Sequence, residues 1–196
     1  MEDRSINKNA FFLFLLDSIC NLMGCEMVKG MLQRIGEEIA EKLVKDFSKE
    51  SLKVNSLESL VNSNNPLSYF DDTLILEKDN IFILEKCPFL ELVTAYKKIA
   101  KTMPISFKNI TDSYNEEGLG YAVSPFCIIH QTYRRKIADY IRVNGETVDL
   151  FQLGCKSLSG DIKFAPDNIK SVSLTENIVQ TALKEKACMY VIKPKK

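Results

Sequence analysis

Residues 73–85 read TLILEKDNIFILE, and this stretch decides the fold class. It holds two runs rich in branched apolar side chains, Thr73–Glu77 and Ile81–Glu85, on either side of Lys78-Asp79-Asn80. Short β-rich runs that flank a polar turn indicate a β-hairpin. We therefore predict that the two runs pair at the heart of a sheet.

Two further strands follow the hairpin along the chain. Thr147–Leu153 comes after the turn sequence Asn144-Gly145, and Ala187–Ile192 lies near the end. Helices are predicted before and between the strands, over Phe11–Met23, Met27–Phe47, Leu90–Met103 and Phe126–Arg142. Ser106–Gly120 is polar and is predicted to be a loop. The pattern indicates an α+β fold, with an antiparallel sheet of four or five strands packed against long helices.

The second helix carries an apolar stripe with helical spacing. Its members are Met27, Met31, Ile35, Ile39, Leu43 and Phe47. A helix this apolar on one side is expected to bury that side, part of it across a homodimer interface. A break at Gly24 divides the chain into an N-terminal helical arm, residues 1–24, and a single ligand-binding domain, residues 25–196.

Composition excludes several classes of partner. Acidic and basic residues balance at 26 each, so no overall field favours nucleic acid. The run Ala10–Leu16 is too short for a membrane span and makes a poor export signal. We therefore expect a cytoplasmic protein whose cysteines stay reduced. The basic run Arg134-Arg135-Lys136 is expected to be solvated surface.

Three cysteines stand at the ends of predicted elements. Cys127 lies in the first turn of a helix opened by Ser124 and Pro125, Cys155 follows a strand, and Cys188 begins the last strand. His130, the only histidine, lies one helical turn after Cys127. A thiol and an imidazole on one helix face can form a nucleophilic pair or bind a metal. The alternative is that these residues fill the core, as most unpaired cysteines do.

The order of several short motifs resembles a known family. The helix LQRIGEEIAEKL (residues 32–43), SPFC (124–127), QLGC (152–155) and CMYVI (188–192) follow one another as in the vinyl-reductase-type, or hydrocarbon-binding, domains. That superfamily includes a group similar to aminothiazoline-carboxylate hydrolases. In the family, cysteines matching Cys127, Cys155 and Cys188 hold a zinc ion together with a Glu. In this chain Gln152 stands at the position of that Glu. The resemblance therefore implies either a Zn²⁺ site on the three cysteines or no cofactor.

Three functions remain open from the sequence. The first is a binding domain, sensory or regulatory, for a small apolar or aromatic molecule contacted by His130, Tyr133, Gln152 and Met31. The second is a thiol-dependent hydrolase of a small cyclic amide or thiazoline, with Cys127 and His130 as catalytic residues. The third is a non-catalytic scaffold or tethering subunit. In each case we expect a homodimer that binds no nucleic acid and spans no membrane.

Overall fold

The computed structural model describes most of the chain outside residues 156–187. The described residues are 4–50, 52–62, 67, 74–77, 81–84, 89–102, 106, 108–117, 122–155 and 188–195. Their helices are α1 (Arg4–Met23), α2 (Cys25–Lys45), α3 (Leu57–Asn62), α4 (Leu90–Thr102), α5 (Lys108–Glu116) and α6 (Pro125–Ala138). Their strands are β1 (Lys53–Val54), β2 (Leu74–Glu77), β3 (Ile81–Leu84), β4 (Arg142–Val143), β5 (Glu146–Cys155) and β6 (Cys188–Pro194).

The sheet confirms the α+β class. Its strand order is β1-β4-β5-β6-β3-β2, and the four strands β5, β6, β3 and β2 pair antiparallel. The two-residue strands β4 and β1 extend one edge to six strands, and β1 runs parallel to β4. This last pairing adds a parallel element that the expectation of an antiparallel sheet did not include.

The predicted hairpin forms, but at a different place in the sheet. β2 and β3 pair antiparallel, with Leu74 opposite Leu84 and Glu77 opposite Ile81. The hairpin lies at one edge, because β6 pairs with β3 on one side and with the long strand β5 on the other. The expectation that it forms the heart of the sheet is therefore wrong. The centre is β5 and β6, since the last strand inserts between two earlier hairpins.

The predicted turn at Asn144-Gly145 is confirmed. Asn144 has φ +52° and Gly145 has φ +84°, which is the two-residue pattern of a type I′ hairpin. Asn and Gly tolerate this left-handed backbone, so these two residues fix the register of β4 against β5. The turn sends the chain from the end of α6 directly into the central strand.

Two apolar clusters fill the interior, and α6 contributes to both. The sheet-side cluster joins the later part of α2 and of α6 to the sheet, and includes Leu43, Ile137, Leu150, Tyr190 and Ile192. The helical cluster joins α1, α4 and α5 to the first turns of α2 and α6, and includes Leu13, Leu32, Tyr114, Phe126 and Cys127. Helix α2 packs mainly on α6, and α6 packs on β5.

The buried face of α2 differs from the predicted stripe. The buried residues are Val28, Lys29, Leu32, Gly36, Ala40 and Leu43. Met27, Met31 and Ile35 are 54%, 42% and 43% exposed. The prediction failed here because small and charged side chains, which a hydrophobic pattern does not mark, form the contact with α6. Leu43 is buried as expected.

The predicted loop Ser106–Gly120 contains helix α5. Ile110 and Tyr114 are one turn apart on α5 and are buried in the helical cluster. Burial of this narrow face outweighs the weak helix propensity of the polar residues around it. The expectation of a loop is therefore wrong for Lys108–Glu116.

Several expectations fall outside the described residues. These are the loop predicted over 156–170, the short elements predicted within 171–182, and the orientation of the hairpin side chains. Among the described helices, none is long and apolar enough to cross a membrane.

Candidate functional site: a buried cluster on helix α6

Helix α6 positions most of the residues singled out by the sequence. It follows Ser124, whose backbone is extended (φ −153°, ψ 160°), and Pro125 opens its first turn. The fixed φ of proline suits this position, and its missing N–H costs no helical hydrogen bond there. Cys127 and His130 then lie three residues apart, and Arg134 four further on, so all three share one face.

That face carries a buried polar cluster, the α6 cluster: His130, Tyr133, Arg134 and Tyr190. Arg134 and Tyr190 are fully buried, while Tyr133 and His130 are 2% and 3% exposed. Arg134 Nε donates a hydrogen bond to His130 Nε2 over 2.8 Å. His130 Nδ1 and the hydroxyl of Tyr190 are 3.2 Å apart. The cluster thus links α6 to the central strand β6.

These contacts fix the tautomer of His130. Because the Nε–H of Arg134 donates to Nε2, that nitrogen must carry a lone pair. The proton of the neutral ring is then on Nδ1, which donates to the oxygen of Tyr190. The hydroxyl proton of Tyr190 remains available to donate to another acceptor.

Aromatic rings surround the two cationic or polar heads. The guanidinium carbon of Arg134 lies 5.6 Å from the ring centre of Tyr133 and 5.3 Å from that of Tyr190. Phe89 meets the imidazole of His130 edge-on, with ring centres 5.8 Å apart. Ring faces partly offset the cost of burying a guanidinium, which an apolar core alone would not do.

The sheet places Gln152 beside the cluster. Gln152 on β5 is the direct Cα partner of Tyr190 on β6. The register between these strands shifts between Gln152 and Gly154, which marks an irregularity of the β-bulge type. Bulges of this type occur often next to functional sites, where they re-aim side chains. The side chain of Gln152 itself lies outside the described part of the structure.

Two of the three predicted metal ligands are neighbours in the sheet. Cys155 and Cys188 are direct partners at the end of the β5–β6 ladder. Cys127 packs in the helical cluster, whereas Cys188 packs in the sheet-side cluster. Within the described residues, no three His, Cys, Asp or Glu side chains are grouped as a metal site requires. The side chain of Cys155 is not among those described.

The hydrogen bonds of Cys127 and His130 lead in different directions. The Cys127 sulfur and the Ser124 hydroxyl oxygen are 3.4 Å apart. Both ring nitrogens of His130 already bond to other side chains, Arg134 and Tyr190. To act as a base toward Cys127, the imidazole would have to give up one of these bonds. The catalytic pair stays a prediction that the described contacts do not supply.

Met31 lies apart from the α6 cluster. It is 42% exposed, whereas the residues of α2 that face α6 are Leu32, Gly36 and Ala40. A Cβ added at Gly36 would lie 2.6 Å from the carbonyl oxygen of Ile129, so the two helices are in backbone contact there. A ligand pocket between α2 and α6, walled by methionines, has no space at this level.

Sequence reasoning missed Arg134 and Tyr190. Arg134 was predicted to be solvated and is fully buried, so that prediction is wrong. A signal was present: residues 127, 130, 134 and 137 continue one helical stripe, and Arg134 occupies a core position in it. The basic neighbours Arg135 and Lys136 hid this position, because a charge run is usually read as surface.

A second polar region lies on the surface. An open groove of about 240 Å³ is lined by Glu37, Thr132, Arg135, Lys136, Asp139, Asp149 and Lys195. Lys195 pairs with Asp139 at 3.0 Å and with Asp149 at 3.8 Å. Because its charges already pair with one another, this groove is a weaker candidate than the α6 cluster.

Comparison with known proteins adds no assignment. No family model, curated protein or solved structure matches the chain. The function is therefore inferred from the residues and their geometry.

Proposed function

We propose that the chain is a small-molecule-binding module of the hydrocarbon-binding type, acting in the cytoplasm as a homodimer. Its ligand is a small apolar or aromatic molecule with one polar group. The α6 cluster binds that polar group, and apolar side chains around the cluster hold the rest.

One observation carries the proposal: a fully buried guanidinium is hydrogen-bonded to the only histidine, among buried tyrosines. Burying a charge is costly, and proteins with only a stability requirement can place apolar residues there instead. Arginine presents several donors in a plane, which matches a carboxylate or a phenolate oxygen. The Tyr190 hydroxyl, fixed by His130 Nδ1–H, can supply one more donor.

A thermal-shift screen tests binding directly. The probes are phenol, hexanoate and an aminothiazoline carboxylate, each added to the purified protein. A ligand present at about 100 times its Kd adds roughly 2.7 kcal/mol to the free energy of unfolding, so the melting temperature rises visibly. If none of the three probes raises it, the proposal of an apolar ligand with a polar group is contradicted.

A matched pair of variants locates the site. Tyr190→Phe removes only the hydroxyl that faces His130. Tyr114→Phe removes another buried hydroxyl, which donates to Gln131 Oε1 over 3.3 Å, away from the cluster. We expect Tyr190→Phe to weaken the probe's affinity about fivefold, the value of one hydrogen bond of about 1 kcal/mol. Tyr114→Phe should bind as the wild type does. Equal affinities in the two variants would contradict the location.

A second function, as a scaffold or tethering subunit, is favoured by the exposed apolar surface of the first two helices. We call it the α1–α2 face. Its nine side chains are each 42–85% exposed: Phe11, Phe12, Phe14, Leu15, Leu22, Met23, Met27, Met31 and Ile35. At roughly half of about 200 Å² each, they present on the order of 900 Å². One partner in a standard interface contributes about 800 Å².

The area of this face supports a second copy of the chain as its occupant. On α1, Phe11, Leu15 and Leu22 follow helical spacing and form one stripe. On α2, Met27, Met31 and Ile35 do the same. A self-complementary apolar face of this size suits a two-fold dimer. Dimerisation and ligand binding are compatible, because the α6 cluster is buried within one chain.

A further inference from the structure

The junction of α1 and α2 brings two thiols together. Gly24 is the one residue between the helices and has φ +88°. Its N–H donates to the carbonyl oxygen of Cys20 over 2.8 Å, the bond that closes a glycine-ended helix. In such helix ends the residue after the glycine contacts the residue whose carbonyl receives or neighbours this bond. Here those residues are Cys25 and Cys20.

The two side chains interact with each other. The Cys20 thiol is 3% exposed and hydrogen-bonds with Cys25, which is half-buried. Cys25 Sγ also donates to the carbonyl oxygen of Ser106 over 3.3 Å. Burial, together with the nearby Cys25 and Asp17, raises the pKa of Cys20 to about 12. Cys20 is thus the protected member of the pair, and Cys25 is the accessible one.

The surroundings hold this pair in place. Asp17 Oδ1 accepts a hydrogen bond from the backbone N–H of Ser106 at 2.7 Å, and Asn21 Oδ1 accepts one from its hydroxyl at 2.6 Å. Ser106 is therefore fixed to α1 on both sides of Cys20, and Cys25 is fixed to Ser106. No group of three metal-ligating side chains forms at this junction among the described residues. The arrangement suits two-thiol chemistry rather than a metal ion with three or four ligands.

We propose that Cys20 and Cys25 form a reversible dithiol–disulfide site that exchanges with low-molecular-weight disulfides. The thiolate of Cys25 attacks one sulfur of the small disulfide, whose S–S bond breaks and releases one small thiolate. Cys20 then loses its proton to solvent and attacks the Cys25 sulfur. The mixed disulfide breaks and the second small thiol leaves. Two protein thiols are oxidised and one small disulfide is reduced to two thiols.

The first step makes the second one easier. The interaction with Cys25 contributes to the high pKa of Cys20. Once Cys25 is in a mixed disulfide, it no longer carries a thiol or a negative charge, so this contribution is lost. The new bond would then tie α1 to α2 across Gly24 and fix the angle between them. This proposal is independent of ligand binding at the α6 cluster.

Mass spectrometry after exchange with glutathione disulfide tests the proposal. Trypsin releases residues 9–29 as one peptide that contains Cys20 and Cys25 and no other cysteine. We expect this peptide to lose two hydrogen atoms in the oxidised wild-type protein and to regain them with reduced glutathione. Cys20→Ser should stop at the glutathione adduct on Cys25. Cys127→Ser, a control at another buried thiol, should oxidise at residues 9–29 as the wild type does.

Two outcomes would overturn the proposal. One is a wild-type peptide that keeps both thiols, and the other is an adduct on Cys25 that never closes to the disulfide. Phenylarsine oxide, which bridges two neighbouring thiols, gives a check without any variant. One equivalent should protect both cysteines of the peptide from alkylation. If both remain open to alkylation, the two thiols are not neighbours and the proposal fails.

Discussion

At the scale of single residues, Gly36 sets the closest approach of α2 to α6. A Cβ there would meet the Ile129 carbonyl oxygen at 2.6 Å, Thr132 Cβ at 2.9 Å and the Tyr133 backbone nitrogen at 3.0 Å. Gly36→Ala should therefore lower the free energy of unfolding by about 2 kcal/mol, because two helix backbones must separate. Gly30→Ala in the same helix meets nothing within 4 Å and should raise it by up to about 1 kcal/mol. Urea unfolding of both variants measures the difference, and equal effects would contradict the packing.

Arg134 shows how far a sequence can locate a site residue. Its position in the stripe 127, 130, 134 and 137 was readable, but its partners on β6 were not. The contact with Tyr190 depends on which strand lies beneath α6. That depends on the last strand inserting between two hairpins, which no local pattern predicts. The sequence could therefore name His130 and Tyr133, and could not name the residue that joins them to the sheet.

At the scale of elements, Lys29 fastens α2 to α5. Its ammonium is 6% exposed and donates to Ser113 Oγ at 2.7 Å and to Glu117 at 2.5 Å, and it pairs with Glu26. Burial lowers the pKa of Lys29, but the bonds to Glu117 and Glu26 outweigh it, so the pKa lies above its usual value. Lys29→Met should lower the free energy of unfolding by about 1–3 kcal/mol, the value of charged hydrogen bonds. Arg34→Met is the control: its pairs with Glu37 and Glu38 are exposed and should contribute less than about 1 kcal/mol.

The contribution of Lys29 has a defined pH window. Because its pKa is raised on folding, the stability it adds is complete below about 10.4 and is lost as the pH rises through the folded value. The bond to Lys29 holds the pKa of Glu26 below its usual range, so that contribution is complete above about 4.3 and is lost as the pH falls. The difference in stability between wild type and Lys29→Met should be flat between these limits and shrink outside them. A difference that does not change with pH would contradict the ion pair.

Helices α2 and α5 also show where element prediction stops. The existence of α2 followed from its long periodic pattern, but its buried face was assigned to the larger side chains. Backbone contact at Gly36 turns a face with a glycine, an alanine and a lysine toward α6 and leaves methionines outside. Helix α5 buries only Ile110, Thr111 and Tyr114. So narrow a face in a polar segment is not distinguishable from a loop without its partner.

At the scale of the whole molecule, the α1–α2 face predicts the oligomeric state. Ile35→Asp places a charge on this face at a residue that is 43% exposed within one chain. We expect a folded monomer, because a buried unpaired charge opposes the interface and not the fold. Ile39→Asp, which is packed against the sheet-side cluster, should instead unfold the chain. Light scattering and circular dichroism distinguish the two, and a wild-type protein that is monomeric would contradict the proposed dimer.

The single histidine gives the most direct test of the central claim, that the α6 cluster binds the polar group of a ligand. Heteronuclear NMR of the His130 ring nitrogens should show a neutral ring at pH 7, with the proton on Nδ1 and a lone pair on Nε2. Adding hexanoate, or whichever probe raises the melting temperature, should shift both ring signals as Arg134 and Tyr190 bind the added oxygen. A ring protonated on Nε2, or signals that stay unchanged while a probe raises the melting temperature, would contradict the account.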